Sequence, residues 1–389
     1  MRSSLPGSCA IAGIGQTEFS KESGRSELQL ACEAVSAALD DAGLAPGDVD
    51  GMVTFTMDAS DEIDVARSVG IGDLTFFSRV PHGGGAAAGT VVHAAMAVAT
   101  GVADVVVCYR AFNERSGMRF GGSGRTNAET PLFMAHYAPF GLLTPAAWVA
   151  LHAQRYMSTY GVTNEDFGRI AVVDRAHAAT NPDAWFYQRA ITLEDHQNSR
   201  WIVEPVLRLL DCCQESDGGV ALVVTSAERA RDLRQPPAVV TAAAQGAAYE
   251  GEMMTSYYRE DITGLPEMGV VADQLWRDSG LKPQDIQTAF IYDHFTPFVF
   301  TQLEELGFCG RGEAKDFATI ERLSLGGELP INTNGGLLGE AYIHGMNGIT
   351  EGVRQVRGTS YNQVDNVEHV LVTSGTGVPT SGLILAPAD

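Results

Sequence analysis

Short apolar runs, of the length of buried strands, alternate with amphipathic helical segments along most of this chain. An apolar run begins at Cys9 and ends in a glycine turn, and apolar residues recur at helical spacing from about Glu27 to Gly43. Further strands are predicted at Ala103 to Cys108 and Thr288 to Tyr292, with a helix at Met268 to Ser279. This alternation predicts an α/β fold whose sheet is mainly parallel and covered on both faces.

The alternation breaks once and restarts after a proline-rich joint. From about residue 113 to 205 the chain has turn residues at Gly121 to Arg125, many aromatic residues and amphipathic pieces, which favour an insertion over a core. The joint Gln235-Pro-Pro separates two stretches with similar alternation. We therefore predict an N-terminal half, residues 1–235, which contains the inserted region at about 113–205, and a C-terminal half, residues 236–389.

The charge and the cysteine usage narrow the classes of partner and site. The formal net charge is −22, without a compensating basic cluster, which argues against nucleic acid and anionic membranes as partners. The apolar runs are far shorter than the roughly 20 residues of a membrane span, and no signal-peptide pattern is present. Six cysteines without a CxxC pair predict neither a disulfide framework nor a metal site, which favours a cytoplasmic location.

Two short motifs carry little weight. Gly13-Ile-Gly15 follows a predicted strand, but the third glycine of a dinucleotide-binding fingerprint is missing, since Glu18 stands there. Cys212-Cys213 is better explained as a pair of core thiols than as a redox or metal site, because adjacent cysteines disfavour shared ligation of a metal.

An ordered set of segments covers nearly the whole chain. It consists of Ala10-Ile-Ala-Gly-Ile-Gly-Gln-Thr-Glu-Phe, Tyr160-Gly-Val-Thr, Asn181-Pro and Leu210-Asp-Cys-Cys-Gln-Glu-Ser-Asp-Gly-Gly. The set resembles the lipid-transfer-protein branch, also called the sterol-carrier-protein-type branch, of the thiolase superfamily. The resemblance implies a thiolase fold, in which two similar α/β halves with mixed sheets pack around buried helices in αβαβα layers, plus an inserted loop domain.

The resemblance also locates the position of the thiolase nucleophile. In thiolases a cysteine at the N-terminus of a buried helix attacks the substrate, and the helix dipole lowers the pKa of its thiol. That position falls on Gly84, within Gly83-Gly-Gly-Ala-Ala-Ala-Gly89, and the neighbouring residues carry no thiol or hydroxyl either. The chain is therefore predicted to form no acyl-enzyme thioester.

The other three catalytic segments of the family are altered as well. The two catalytic histidines fall on Tyr292, in Tyr292-Asp-His-Phe, and on Tyr342, in Gly339-Glu-Ala-Tyr-Ile-His-Gly. The loop that supplies the acid/base thiol reads Ser374-Gly-Thr-Gly, and Asn332-Thr-Asn-Gly-Gly matches the family's Asn-Pro-Ser-Gly-Gly. Both tyrosines could instead be packing residues of an inactive scaffold, which is the alternative to a catalytic role.

A retro-aldol cleavage suits these replacements, because it needs proton transfer and donors for a thioester enolate but no thiolate. Tyr292 and Tyr342 are the predicted base and acid, although a phenol with a pKa of about 10 needs a lowered pKa or a proton relay near neutral pH. Asp293, His294 and His344 are the candidates that would lower this pKa or relay the proton. The predicted substrate- and oxyanion-binding residues are Gly84, Asn332, Ser374, Gly375 and Gly377.

Thiolase-like chains with this tyrosine pattern resemble the steroid side-chain-cleaving acyl-CoA aldolases, which are carbon–carbon lyases rather than thiolases. The resemblance implies cleavage of a 17-hydroxy steroid C22-acyl-CoA to a 17-ketosteroid and propionyl-CoA. It also implies a homodimer flanked by small OB-fold, zinc-ribbon partner chains in a heterotetramer. No cofactor is expected, because coenzyme A is part of the substrate. The alternative function is a non-catalytic acyl-CoA- or lipid-binding subunit of a larger complex.

Overall fold

The computed structural model describes residues 5–117, 119, 132–252, 254–377 and 380–388. The strands are β1 Cys9–Gln16, β2 Gly51–Phe55, β3 Phe76–Val80, β4 Val105–Asn113, β5 Trp201–Val203, β6 Leu207–Arg208, β7 Asp217–Ser226, β8 Ala238–Gly246, β9 Thr288–Phe290, β10 Val370–Ser374 and β11 Thr380–Pro387. The helices are α1 Glu27–Ala42, α2 Glu62–Val69, α3 Ala87–Ala99, α4 Leu132–Tyr137, α5 Pro145–Tyr160, α6 Asn164–Thr180, α7 Leu193–Asn198, α8 Ala227–Ala230, α9 Pro266–Ser279, α10 Thr296–Glu305, α11 Ala314–Phe317, α12 Ile320–Leu323, α13 Gly336–Gly339 and α14 Met346–Arg357. The predicted α/β class is confirmed.

One mixed sheet runs through the molecule in the order β3-β2-β4-β7-β1-β8-β11-β10-β9. The order and the pairing directions repeat on both sides of its centre: β4 and β10 each have one parallel and one antiparallel neighbour. The prediction of a mainly parallel sheet is wrong. Strands β10 and β11 are joined by a short link, which permits only antiparallel pairing, and β7 likewise runs antiparallel to β4 and β1.

The two sets of strands, one from each of the two similar halves that the thiolase resemblance implied, are joined into one continuous sheet. Their first strands, β1 and β8, pair antiparallel at Ala10 with Val239 and Ile11 with Ala238. The change from the first set to the second occurs between the end of β7 and the start of β8. The division into residues 1–235 and 236–389 places the boundary in this link and remains a proposal.

Helices cover the sheet on the outside and fill the space between its two sets of strands. Helix α1 packs on β1, β4 and β7, and α9 packs on β8 and β11. Helix α3 contacts strands of both sets and α14, and most of its side chains are buried. The alanines and valines of α3 make it apolar on every face. A helix of this kind is stable only when it is buried as an internal layer.

The inserted region supplies a helix that packs on helices of the C-terminal half. Helix α6 contacts α10 and α13, and α5 contacts β5 of the small β5–β6 hairpin. Residues 120–131, with the predicted turn at Gly121 to Arg125, lie outside the described residues. Within the described part of the chain, no helix has the length and apolar character to cross a membrane.

Candidate active site

The two predicted catalytic tyrosines meet. Tyr292 lies between β9 and α10, where its backbone N–H donates to Thr373 Oγ1 at 3.0 Å and its carbonyl accepts from Gln302 Nε2 at 2.8 Å. Tyr342 follows α13, and its backbone N–H donates to Ser216 Oγ at 3.2 Å. The two hydroxyls lie 3.1 Å apart and form a hydrogen bond. Segments far apart in sequence thus fix both phenols by their backbones.

Tyr292 occupies the space that a nucleophile side chain would need. A Cβ atom added to Gly84 would lie 1.6 Å from Tyr292 Oη and 2.2 Å from its Cζ. A Cβ on Gly345, where φ is +86°, would lie 3.0 Å from Tyr292 Cε2. Gly84 stands in a 3-10 turn, Gly84–Ala86, that leads directly into α3. The nucleophile position of the thiolase frame is therefore filled by a phenol that reaches it from another segment.

Burial keeps both phenols neutral. It raises the pKa of Tyr292 and of Tyr342 well above 10, and the hydrogen bond between the two hydroxyls works against this rise at Tyr292. Neighbouring Cys213 and Glu114 raise both pKa values further. The lowered pKa that a phenolate base would need is thus absent in this state, and the pair can donate protons and hydrogen bonds.

His344 is held by a buried ion pair. Arg110 Nε donates to His344 Nδ1 at 3.1 Å, and Arg110 Nη1 lies 3.0 Å from Asp58 Oδ2. Because arginine only donates, Nδ1 of His344 must be the acceptor, so its proton is on Nε2. Burial, followed by the charge of Arg110, lowers the pKa of His344 well below 6.5. The imidazole, which stacks on Phe112, therefore stays neutral with a fixed tautomer. It lines the cavity into which the two tyrosines open.

His294 lies beside Tyr292, as its spacing predicted, and Asp293 points elsewhere. The His294 ring is 4.8 Å from that of Tyr292, and burial lowers its pKa to about 3. Asp293 accepts hydrogen bonds from the backbone of Leu337 at 2.9 Å and Leu338 at 3.0 Å, at the start of α13. Asp293 is not among the residues that line the cavity, so it supports α13 rather than the tyrosines.

Some of the predicted oxyanion-binding residues line the cavity and others do not. Gly84 and Gly375 line the cavity, whereas Asn332, Ser374 and Gly377 lie behind its wall. Ser374 Oγ accepts from the backbone N–H of Ala88 at 3.2 Å, and Asn332 Oδ1 accepts from that of Ile291 at 2.8 Å. These residues hold the glycine loops in place.

The tyrosines open into a cavity of about 640 Å³. Its apolar wall includes side chains from the inserted region and from the loops at the strand ends, among them Leu143, Trp148, Ile202, Leu209 and Phe295. Four cations also line it: Lys21, Arg115, Arg119 and Arg200. Sequence reasoning missed this group because its members are scattered along the chain. Within the described residues, no cluster of His, Cys, Asp and Glu side chains could hold a metal ion.

Comparison with known proteins identifies the family. The "Steroid side-chain-cleaving aldolase" of Thermomonospora curvata is 71% identical over 385 residues, which cover 98% of each chain. This chain belongs to that thiolase-like aldolase family. Another aldolase relative, the "17-hydroxy-3-oxo-4-pregnene-20-carboxyl-CoA lyase" of Mycobacterium tuberculosis, is 66% identical over 98% of this chain and 100% of its own. A family model described as "Thiolase C-terminal domain-like" matches residues 246–385.

Solved structures agree with this aldolase assignment. The structure named "Ltp2-ChsH2(DUF35) aldolase" aligns with a TM-score of 0.95 at 70% identity, over 99% of both chains. Human mitochondrial 3-ketoacyl-CoA thiolase aligns over 100% of both chains with a TM-score of 0.70 at 16% identity, which shows the shared fold alone. The predicted thiolase fold and family are therefore confirmed.

Proposed function

We propose that this aldolase cleaves the Cα–Cβ bond of a β-hydroxyacyl-CoA by a retro-aldol reaction. The observation that carries the proposal is the hydrogen-bonded Tyr292–Tyr342 pair, with Tyr292 filling the space beside Gly84 where a thiolase needs its nucleophile. A site whose nucleophile position is filled by one of two paired proton donors can break a carbon–carbon bond without a covalent intermediate. Such a reaction is that of a carbon–carbon lyase and not of a thiolase.

The reaction follows from what the cavity offers. Loss of the β-hydroxyl proton lets the Cα–Cβ electron pair move into the thioester, which leaves a ketone and an enolate. Donors aimed at the developing oxyanion stabilise this enolate, for which the backbone at Gly84 and Gly375 and the Nε2–H of His344 are placed on the cavity wall. The Tyr292–Tyr342 pair then delivers a proton to Cα, which completes the shorter acyl-CoA.

The proposed substrate is a 17-hydroxy steroid C22-acyl-CoA, which would give a 17-ketosteroid and propionyl-CoA. The cavity volume and its apolar wall suit a fused-ring acyl group, and the names of the two aldolase relatives support a steroid. Three of the four cations, Arg115, Arg119 and Arg200, suit the phosphates of coenzyme A, since charge-assisted hydrogen bonds are the strong ones. They give an acidic chain a local site for an anionic ligand. No cofactor beyond this substrate is part of the proposal.

The proposed assembly is a homodimer that binds a small OB-fold, zinc-ribbon partner to form a heterotetramer in the cytoplasm. The name of the aligned aldolase structure, which joins Ltp2 to ChsH2(DUF35), supports a partner. Strand β3 ends the described sheet and exposes Phe77 to 64%, which is typical of an edge that another chain covers. Isologous twofold contacts are the commonest oligomer interface.

The proposal is tested by product analysis. The chain, alone and with its partner, is incubated with a 17-hydroxy C22 steroid acyl-CoA, and the ketone and the shorter acyl-CoA are quantified by mass spectrometry. Sedimentation of the same samples reports the assembly. We expect equal amounts of 17-ketosteroid and propionyl-CoA. Tight binding of the acyl-CoA without cleavage in any assembly would favour the non-catalytic subunit instead.

A further inference from the structure

Glu114 is a buried carboxyl group on the wall of the cavity. It follows β4 directly, is 2% exposed and lines the same cavity as the two tyrosines. Its Oε2 has no hydrogen-bond partner among the described residues, although buried carboxylate oxygens are normally paired. Glu114 is therefore a buried carboxyl group at the edge of the substrate cavity, with one oxygen that no described residue satisfies.

Ser216 brings Glu114 next to the tyrosine pair. Strands β4 and β7 pair Asn113 with Asp217, so the residues that flank this pair, Glu114 and Ser216, are neighbours across the end of the sheet. The backbone amide of Ser216 hydrogen-bonds Glu114, and the Ser216 hydroxyl accepts the backbone N–H of Tyr342 at 3.2 Å. Ser216 therefore contacts both the Glu114 carboxyl group and the backbone of Tyr342.

Charged groups of both signs lie near Glu114, and they shift its pKa in opposite directions. Burial raises its pKa well above 4.5 and nearby Glu215 adds to this rise, while the Ser216 amide, Arg110 and Lys21 act in the opposite direction. Lys21 is bound to Gln214 Oε1 at 2.8 Å, and burial lowers its pKa to about 8. The other titratable groups facing this corner, Cys213 and the two tyrosines, are held neutral by burial. No salt bridge holds Glu114 within the described residues, so no paired cation cancels the effect of burial on the pKa of its carboxyl group.

We propose that Glu114 is the general base of the retro-aldol reaction and that its Oε2 takes the proton of the substrate's β-hydroxyl. This inference rests on the proposed function. It assigns the removal of the β-hydroxyl proton, which the neutral phenols cannot carry out. Lys21, which lines the same cavity, lowers the pKa of Glu114 and so offsets part of the effect of burial. The Tyr292–Tyr342 pair keeps the role of acid.

The proton balance of this scheme closes without a further reactant. The β-hydroxyl O–H bond breaks, a Glu114 Oε2–H bond forms, and the released electron pair makes the C=O bond of the ketone at Cβ. The Cα–Cβ electron pair becomes the C=C bond of the enolate, and the π pair of the thioester C=O moves to its oxygen. The enolate takes a proton from the tyrosine pair at Cα, which leaves a phenolate beside Glu114. The carboxylic acid returns its proton to that phenolate, and both groups regain their starting states.

The test compares Glu114→Gln with wild type in the assembly in which wild type cleaves the substrate. The amide keeps the size of the side chain and cannot ionise. We expect kcat to fall by roughly 10²–10⁴-fold, the usual effect of losing a positioned base. The matched control is Glu267→Gln, another buried carboxyl group, which pairs with Arg259; neither residue lines the cavity. Its kcat should stay within about threefold, since the change leaves the cavity lining intact.

The pH profile separates a base from a packing residue. The base must be ionised, so wild-type kcat/KM should fall as the pH drops through a pKa raised above that of an ordinary glutamate. Glu114→Gln should lack this acid limb, and Glu114→Asp should retain it at an intermediate rate, which keeps the test open if the glutamine variant folds poorly. An unchanged acid limb or near-wild-type turnover in Glu114→Gln overturns the proposal. Because wild-type cleavage is measured in the same assay, failure of the proposed function would be seen separately.

Discussion

At the residue scale, the glycine at the nucleophile position, Gly84, and the tyrosine at a catalytic histidine position, Tyr292, depend on each other because they share the same space. Any side chain at Gly84 would collide with the Tyr292 hydroxyl, 1.6 Å from the site of its Cβ. The sequence alone predicts the glycine and the tyrosine but not their contact, because the two segments meet only in the folded chain. The glycine is therefore required by the tyrosine.

Gly84→Ala should displace the Tyr292 ring and lower kcat by about 10²-fold or more, since a misplacement of about 1 Å can cost that much. Overpacking of this kind should also cost about 1–3 kcal/mol of unfolding free energy. Steady-state kinetics and a chemical denaturation curve measure both. The control is Gly47→Ala, where an added Cβ meets no atom within 4 Å. Full activity in Gly84→Ala would show that the Tyr292 position is not needed.

Sequence reasoning found part of the site and missed the rest for identifiable reasons. Tyr292 and Tyr342 stand in recognisable glycine frames, and their hydroxyls do meet. Glu114 carries no motif, since its position depends on the pairing of β4 with β7. Asp293 shares the frame of Tyr292, but successive residues in an extended segment point to opposite sides, which directs its carboxylate to α13.

At the scale of elements, the glycine-rich turn before α3 is held by the last strands of the chain. Ser374 at the end of β10 accepts the N–H of Ala88, and Ser381 on β11 accepts that of Gly89 at 2.9 Å. Gly375 lies so close to the turn that an added Cβ would be 2.2 Å from Gly85 Cα. The loop that supplies a catalytic thiol in thiolases thus anchors the N-terminus of α3 here.

Ser374→Ala should therefore act mainly on stability. Loss of a hydroxyl that accepts a helix N-terminal N–H costs about 0.5–2 kcal/mol, and kcat should change by less than tenfold because Ser374 does not line the cavity. Thermal melts and kinetics on the same preparation test this. A large loss of kcat with an unchanged melting temperature would instead place Ser374 at the oxyanion, as the family frame suggested.

At the scale of the whole molecule, the alternation of apolar runs was sufficient to predict the α/β class, but not the continuous sheet. Pairing of β1 with β8 joins the two sets of strands, and nothing in either segment's composition specifies that partner. The net charge of −22 was equally incomplete as a guide to ligands. The fold brings Lys21, Arg115, Arg119 and Arg200 to the lining of one cavity, although the sequence shows no basic cluster.

We propose that the tyrosine hydroxyls, and not a nucleophile, carry the proton transfers of this site. Turnover of Tyr292→Phe and Tyr342→Phe tests it most directly, because phenylalanine keeps the ring and deletes only the hydroxyl. We predict that each change lowers kcat by roughly 10²–10⁴-fold. The unfolding free energy should fall by no more than about 1–2 kcal/mol, the scale of one lost hydrogen bond. Near-wild-type kcat in both variants, with unchanged thermal melts, would contradict the claim.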